Sequence, residues 1–295
     1  MKGKATAAIL SGGALLGFSA IFVKWAVAGG ATALTVGFYR MVVALPGAWL
    51  LARRSGSLGA ARGRAWALAA GLAFFVDLAL WHLAMHETSA ANATFLVCGL
   101  SPVWVALFSL FVLGRRVGPL GWIGQVAGIS GALVLALARG ARTGGGRGKA
   151  IAIGASFCYA AFTLALSRAR ATLNAQQALF WMSLSCLAGF GAAAGLAGHA
   201  FGGYGAGAWW SLVGLGVVVQ LAAWWLGSWG LGHVEPHVAA LGLQLQQVAT
   251  LFLAAWALAE PLRPLGLLGG ALLCSGIVLV SLGARAPAPL APRPE

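Results

Sequence analysis

The chain has 295 residues, of which 60% are hydrophobic and 8% charged, with a mean hydropathy of +0.89. A soluble domain carries about a quarter of its residues as charges, so this composition excludes one and makes lipid the solvent for most of the chain. A net charge of +14 from 19 Lys and Arg against 5 Asp and Glu can indicate a nucleic-acid partner. Most of these cations instead sit in short connections between apolar runs, with no basic stripe interleaved with aromatics, so they read as topology signals and no nucleic acid is expected.

Spanning a bilayer takes about 20 apolar residues. Ten runs of that kind follow in order: Ala5 to Ala28, Leu34 to Leu51, Ala65 to Met85, Ala90 to Leu113, Leu120 to Leu137, Ala150 to Leu166, Ala178 to Leu196, Trp209 to Leu231, Val238 to Leu258 and Leu265 to Leu282. The expected fold is an all-α polytopic membrane protein with ten transmembrane helices. Lys2 and Lys4 ahead of the first run, and Ala26-Val27-Ala28 at its end, imitate a signal peptide, but the run is too long for one and carries Lys24, so a retained helix is expected. The proline-rich stretch 284–295 reads as a disordered tail. Cys98, Cys158, Cys186 and Cys274 all lie inside apolar runs, where a thiol acts as a small hydrophobe; no disulfide framework, metal site or cofactor is expected.

With the N-terminus in the cytoplasm, the inner connections collect twelve basic residues, among them Arg53, Arg54, Arg62, Arg64, Arg115, Arg116, Arg168 and Arg170. The outer ones hold Arg139, Arg142, Arg147, Lys149 and Arg263. The positive-inside rule therefore places both termini in the cytoplasm and the protein in the inner (plasma) membrane, although the middle connection, with four cations, goes against the rule.

The third run, GLAFFVDLALWHLAM from Gly71 to Met85, holds Asp77 amid apolar residues, with Phe74 three residues before it and Trp81 four after it on one helical face. A carboxylate there costs about 2.5 to 3.5 kcal/mol by insertion scales, so it belongs in a protein interior or a water-filled cavity. The eighth run repeats the pattern 143 residues later, Gln220 standing for Asp77 and Trp224 for Trp81. At an offset of 145, Gly3-Lys4-Ala5 recurs as Gly148-Lys149-Ala150, Pro119 as Pro264, and Gly121, Gly124 and Gly131 as Gly266, Gly269 and Gly276. The chain thus divides into a first five-helix repeat over 1–138, a connection over 139–149, a second repeat over 150–283 and the tail. An odd number of helices per repeat inverts the second relative to the first, an arrangement that places a solute site at mid-membrane between the halves.

The stretches 100–135 (LSPVWVALFSLFVLGRRVGPLGWIGQVAGISGALVL) and 245–280 (LQQVATLFLAAWALAEPLRPLGLLGGALLCSGIVLV) close the two halves with an apolar helix, a short charged turn and a Gly-rich helix. In this the chain resembles the EamA-type drug/metabolite transporter superfamily, and within it the amino-acid exporters of the YddG kind. The resemblance implies a carrier rather than an enzyme. Where the family has a Gly-Glu turn this chain has Gly114-Arg115 and Ala259-Glu260, and where it often has Pro in both halves this chain has Pro102 and Gln247.

Each candidate residue has two readings. Asp77 either recognises a solute amine or takes up a proton in a cavity, or is a structural acid paired with Arg40 or Lys24. Trp81 and Trp224 either cap a cavity or sit against lipid, and Tyr39-Arg40 and Tyr159 contribute polar tips. Gln244, Gln247 and Thr250 recur every three residues, as a cavity edge or as interhelical hydrogen bonds worth about 0.6 kcal/mol each. Asn92, Phe95, Gly99 and Pro102 form the matching stripe, with Gly99 and Pro102 as a hinge because proline removes a backbone donor. The glycines of the fifth run form a packing face that either seals the two halves or makes a homodimer. Gly128-Ile129-Ser130-Gly131 imitates the GxSG of an intramembrane protease, but Ser130-Gly131 recurs as Ser275-Gly276, as a packing element would.

The expected protein is a carrier that exports or facilitates movement of small organic solutes by alternating access, amino acids with aromatic or other large apolar side chains first. Other metabolites or drug-like cations are the alternative, and an intramembrane enzyme a minor one. Few cations are expected in the cavity, which argues against nucleotide sugars and sugar phosphates.

Overall fold

A computed structural model describes residues 2–56, 58–87, 90–111, 117–138, 146–258 and 261–283. In a bilayer every backbone donor and acceptor must be satisfied within its own segment, so apolar runs of this length become helices. Ten of membrane-crossing length occur among the described residues: α1 Gly3–Ala28, α2 Ala33–Arg54, α3 Ala61–Ala84, α4 Ala93–Phe111, α5 Pro119–Ala138, α6 Gly146–Ala169, α7 Ala175–Leu196, α8 Ala206–Leu231, α9 Pro236–Ala257 and α10 Pro264–Gly283. No strand occurs among these residues. The connection and tail at 139–145 and 284–295, and the turns holding Gly114-Arg115 and Ala259-Glu260, lie outside the described residues.

Local chemistry sets the ends. Thr32 accepts from the amide of Thr35 while Thr35 accepts from that of Thr32, a reciprocal cap that starts α2. Asn174 and Gln177 repeat it at the start of α7, the corresponding helix of the second half. Pro236 opens α9 at a position where a missing amide costs nothing. Gly30 and Gly56 turn the chain after α1 and α2 with φ of 99° and 109°, a region closed to residues with a Cβ.

The halves interlock in a pattern with two-fold character. Helix α1 packs on α8 and α9, and α6 packs on α3 and α4, while α2 lies against α7 and α5 against α10. The last pair is joined through glycine. A Cβ at Gly131 would stand 2.3 Å from the amide nitrogen of Leu273, and one at Gly276 would stand 2.4 Å from that of Gly128. The backbones are therefore in direct contact, as small-residue faces permit. Of the two expectations for the fifth run, sealing the halves is the one its glycine face serves here, because that face is spent on α10 of the same chain. Ser130, by contrast, points outward and is exposed, so the protease-like motif places no hydroxyl in the interior.

Three spans are irregular. Helix α1 is interrupted at Gly17, between Lys2–Leu16 and Phe18–Ala28, and α9 at Gln244, between Pro236–Leu243 and Leu245–Leu258. Each interruption lies against the other helix: the Thr250 hydroxyl of α9 donates to the Gly17 carbonyl at 3.1 Å, and beside Gln244 the Leu243 carbonyl oxygen stands 3.1 Å from where a Cβ on Gly13 would be. Helix α8 winds as a π-helix over Leu215–Ala223, between Ala206–Gly214 and Trp224–Leu231. Such wide turns gather at functional sites. Helix α4, in contrast, runs unbroken over Ala90–Phe111 with Pro102 inside it.

Candidate functional site

The cavity occupies one end of the bundle. About 650 Å³ in volume, it is lined by the later parts of α1, α3, α5 and α9 and the earlier parts of α2, α4 and α10. Up-and-down alternation puts all of these at the end where α1, α3 and α5 finish. Toward the other end the interior is filled by Ile9, Ala52, Ala67, Leu166, Ala169, Leu231 and Ala239, all buried. The floor between the two regions is aromatic. The ring of Phe74 stacks on Phe162 at 4.7 Å between centroids, and Trp224 stands edge-on to both, at 5.2 Å from Phe74 and 5.1 Å from Phe162.

Asp77 lies just above this floor, 2% exposed, and its Oδ1 has no hydrogen-bond partner. The Tyr159 hydroxyl and the Trp224 Nε1, on the same cavity, also lack one. An unpaired buried polar atom costs about 1 to 3 kcal/mol, so three on residues of one cavity wall are held there by the surrounding fold. Trp81 on the wall donates from Nε1 to Thr94 Oγ1 at 3.3 Å, tying α3 to α4 and setting the indole against the cavity.

The cavity therefore brings together Phe74, Asp77, Trp81, Phe95, Tyr159, Trp224 and Gln247 of the expected residues. Gln220 and Gln244 lie behind the wall. Gln220 is fully buried, accepting from Arg40 Nε at 2.8 Å and donating to Ser183 Oγ at 3.1 Å. Gln244 sits at the interruption of α9 and accepts from Gln247 Nε2 at 3.2 Å. The side chain of Asn92 lies outside the described residues. His82 sits beside Trp81, with ring centroids 5.1 Å apart and the planes tilted by 42°, and is not among the residues lining the cavity. Gly99 and Pro102 are off the cavity lining; at Gly99 the nearest neighbour is the Phe95 ring of its own helix, 3.0 Å from where a Cβ would stand. The interruptions fall at Gly17 and Gln244 instead, where backbone packs on backbone.

The expectation of few cavity cations is wrong. Lys24, Arg40 and Arg263 all line it. Arg40 is 6% exposed beside the floor, whereas Lys24 and Arg263 are exposed at the mouth. The structural pairing of Asp77 with Arg40 is also not observed, since the Arg40 Nε is turned toward Gln220. The sequence offered Arg40 and Lys24 as structural partners of Asp77, and Arg40 also as a polar tip, while Arg263 was counted with the topology signals. The position of Arg40 inside a span was the signal that had singled out Asp77. Gln246 also lines the wall, one residue off the expected three-residue edge.

Ten helices in two interlocked halves around a cavity open at one end are the architecture of a carrier, and sequence comparison agrees. The model of the EamA-like transporter family matches residues 3–137 and again 146–282. The chain belongs to that family and is a multi-pass membrane transporter of small solutes. No curated protein matches the chain. Among solved structures, 29 chains match. One of them, titled only "Crystal structure of protein", has a TM-score of 0.81 at 18% identity over 96% of this chain and 98% of its own. At that identity the likeness concerns the fold alone.

Proposed function

We propose that this chain exports amino acids with aromatic or other large apolar side chains, in the manner of the YddG-kind exporters it resembles, by alternating access around the α1–α10 cavity. The observation that carries the reading is the floor: a buried carboxylate with an unpaired oxygen set against three aromatic rings. A carboxylate there offers an ammonium a charge-assisted hydrogen bond, and the rings offer an apolar side chain edge and face contacts. The volume of about 650 Å³ lies within the range of small-molecule pockets. Drug-like cations fit less well, because Lys24, Arg40 and Arg263 outnumber Asp77 on the lining.

Both termini face the cytoplasm of the inner membrane in this reading, so the cavity opens outward. Alternating access then requires the packed half to open as the mouth closes, with α1 and α9 moving together through the Thr250 to Gly17 contact. The two five-helix units are 1–138 and 150–283, joined by 139–149. The test is uptake of a labelled amino-acid panel by proteoliposomes, with and without a pH gradient, by wild type and Asp77→Asn. Wild type should carry tryptophan and phenylalanine, and Asp77→Asn should lose every amine alike, together with any stimulation by the gradient. Full activity in Asp77→Asn would remove the carboxylate from the site.

A further inference from the structure

Asp77 accounts for an ammonium and the rings for a side chain, which leaves one buried charge without a task. Arg40 stands on α2 with 6% of its surface exposed, on the lining of the same cavity. A desolvated guanidinium is costly unless its donors are used. One of them is: Nε donates to Gln220 Oε1 at 2.8 Å, and Gln220 is held in turn by Ser183 at 3.1 Å. Gln220 is fully buried within the π-helical stretch of α8, so this anchor belongs to the scaffold and does not move with solvent. The guanidinium also lies over Phe74, whose ring centre is 5.5 Å from its carbon. With Nε directed backward, the two terminal nitrogens remain, and among the described residues neither has a hydrogen bond or ion pair. A planar fork of that kind matches a carboxylate in shape and charge.

The opposite charge is one helix away. Phe74, over which Arg40 lies, precedes Asp77 by three residues on α3, so the fork and the carboxylate flank the same turn of that helix. Were the pair a structural salt bridge the two groups would be spent on each other, yet Arg40 reaches to Gln220 and Asp77 Oδ1 bonds nothing. We infer that Arg40 binds the solute's carboxylate while Asp77 binds its ammonium, so that the carrier admits solutes bearing both groups and discriminates against those bearing one. Gln220 is a positioning residue, acting through Arg40. Lys24 and Arg263 at the mouth draw carboxylates toward the site, as clefts lined by one sign of charge do. This inference rests on the amino-acid reading above.

The experiment is equilibrium binding of three labelled ligands to the purified full-length chain: tryptophan, tryptamine, which lacks the carboxylate, and indole-3-propionate, which lacks the ammonium. Wild type should bind each analogue at least about tenfold more weakly than tryptophan, the equivalent of about 1.4 kcal/mol. Arg40→Gln should weaken tryptophan and indole-3-propionate about tenfold and leave tryptamine unchanged, closing the gap between the amino acid and its amine. Gln220→Met keeps the charge and removes the anchor, so it should narrow the same gap; it decides the matter if Arg40→Gln does not fold. Failure of wild type to bind any amino acid overturns the functional reading and this inference together. Wild type that binds tryptophan and tryptamine equally, or an unchanged gap in Gln220→Met and a folded Arg40→Gln, overturns the role of Arg40 alone.

Discussion

Trp224→Ala separates a wall that touches solute from a ring that only holds the fold. The indole is 3% exposed, lines the cavity and stands edge-on to Phe74 and Phe162. A buried aromatic side chain covers about 150 to 250 Å², and one wall out of about four takes about 50 Å² of it. At about 25 cal/mol per Å² that contact contributes about 1.2 kcal/mol to a tryptophan solute, roughly an eightfold effect on affinity. An alanine solute offers a single methyl, worth about 0.8 kcal/mol in full burial, so the same wall contributes about 0.2 kcal/mol to it, well under twofold. The truncation also takes a buried ring from the core, at about 3 to 5 kcal/mol of stability, so less protein will be folded. The quantity to read is therefore the ratio of tryptophan to alanine affinity within each variant, measured by counterflow competition in proteoliposomes, from which the active fraction cancels. The ratio should fall about five- to tenfold in Trp224→Ala and stay near wild type in Trp224→Phe. Equal losses for both amino acids would refute the reasoning and leave Trp224 as a structural ring.

Gly131→Leu drives a side chain into the α10 backbone, where a Cβ already stands 2.3 Å from an amide nitrogen, and should destabilise the chain by about 3 kcal/mol or more; thermal unfolding followed by size exclusion should show a lowered midpoint, with Ser130→Leu on the exposed face unchanged, and equal behaviour of the two would deny the seal. Pro102→Ala restores a backbone donor to α4 and, if that helix bends during the cycle, should slow exchange several-fold without lowering the unfolding midpoint; unchanged exchange by the folded variant would assign the bending to the interruptions at Gly17 and Gln244. Cysteine placed at Gly146 in a cysteine-free background should react with an impermeant reagent from outside, and one at Gly56 only after permeabilisation; labelling of both from one side would contradict five spans per half.

The number of helices, their limits and the division into halves were legible in the chain because each follows from local composition. A segment of about 20 apolar residues has one stable conformation in lipid. The capping pairs Thr32 with Thr35 and Asn174 with Gln177, like the glycines of α5 and α10, carry the repeat in residues a few positions apart. Asp77 was legible for the same reason, since one acid in an apolar run is costly wherever its helix packs.

What each polar residue faces was not legible, because a side chain's partner in a bundle comes from another helix. Gln220 and Asp77 occupy equivalent places in the two halves, yet the first holds Arg40 from behind the wall and the second stands in the cavity with an oxygen unspent. Pro102 marked the helix that should break, and α4 runs through it unbroken, while α9 breaks at Gln244 with no proline nearby. Proline removes one bond locally, but whether a helix then bends depends on what packs against it, and at Gly17 and Gln244 two helices approach at backbone contact. The glycines of α5 announced a close approach from the sequence, and only the packing decided that the approaching helix is α10 of the same chain. The apolar pattern thus determines which segments cross the membrane, a property each segment has alone. The arrangement of the halves decides which charges share a space, because that depends on residues as far apart as Arg40 and Gln220, 180 positions along the chain.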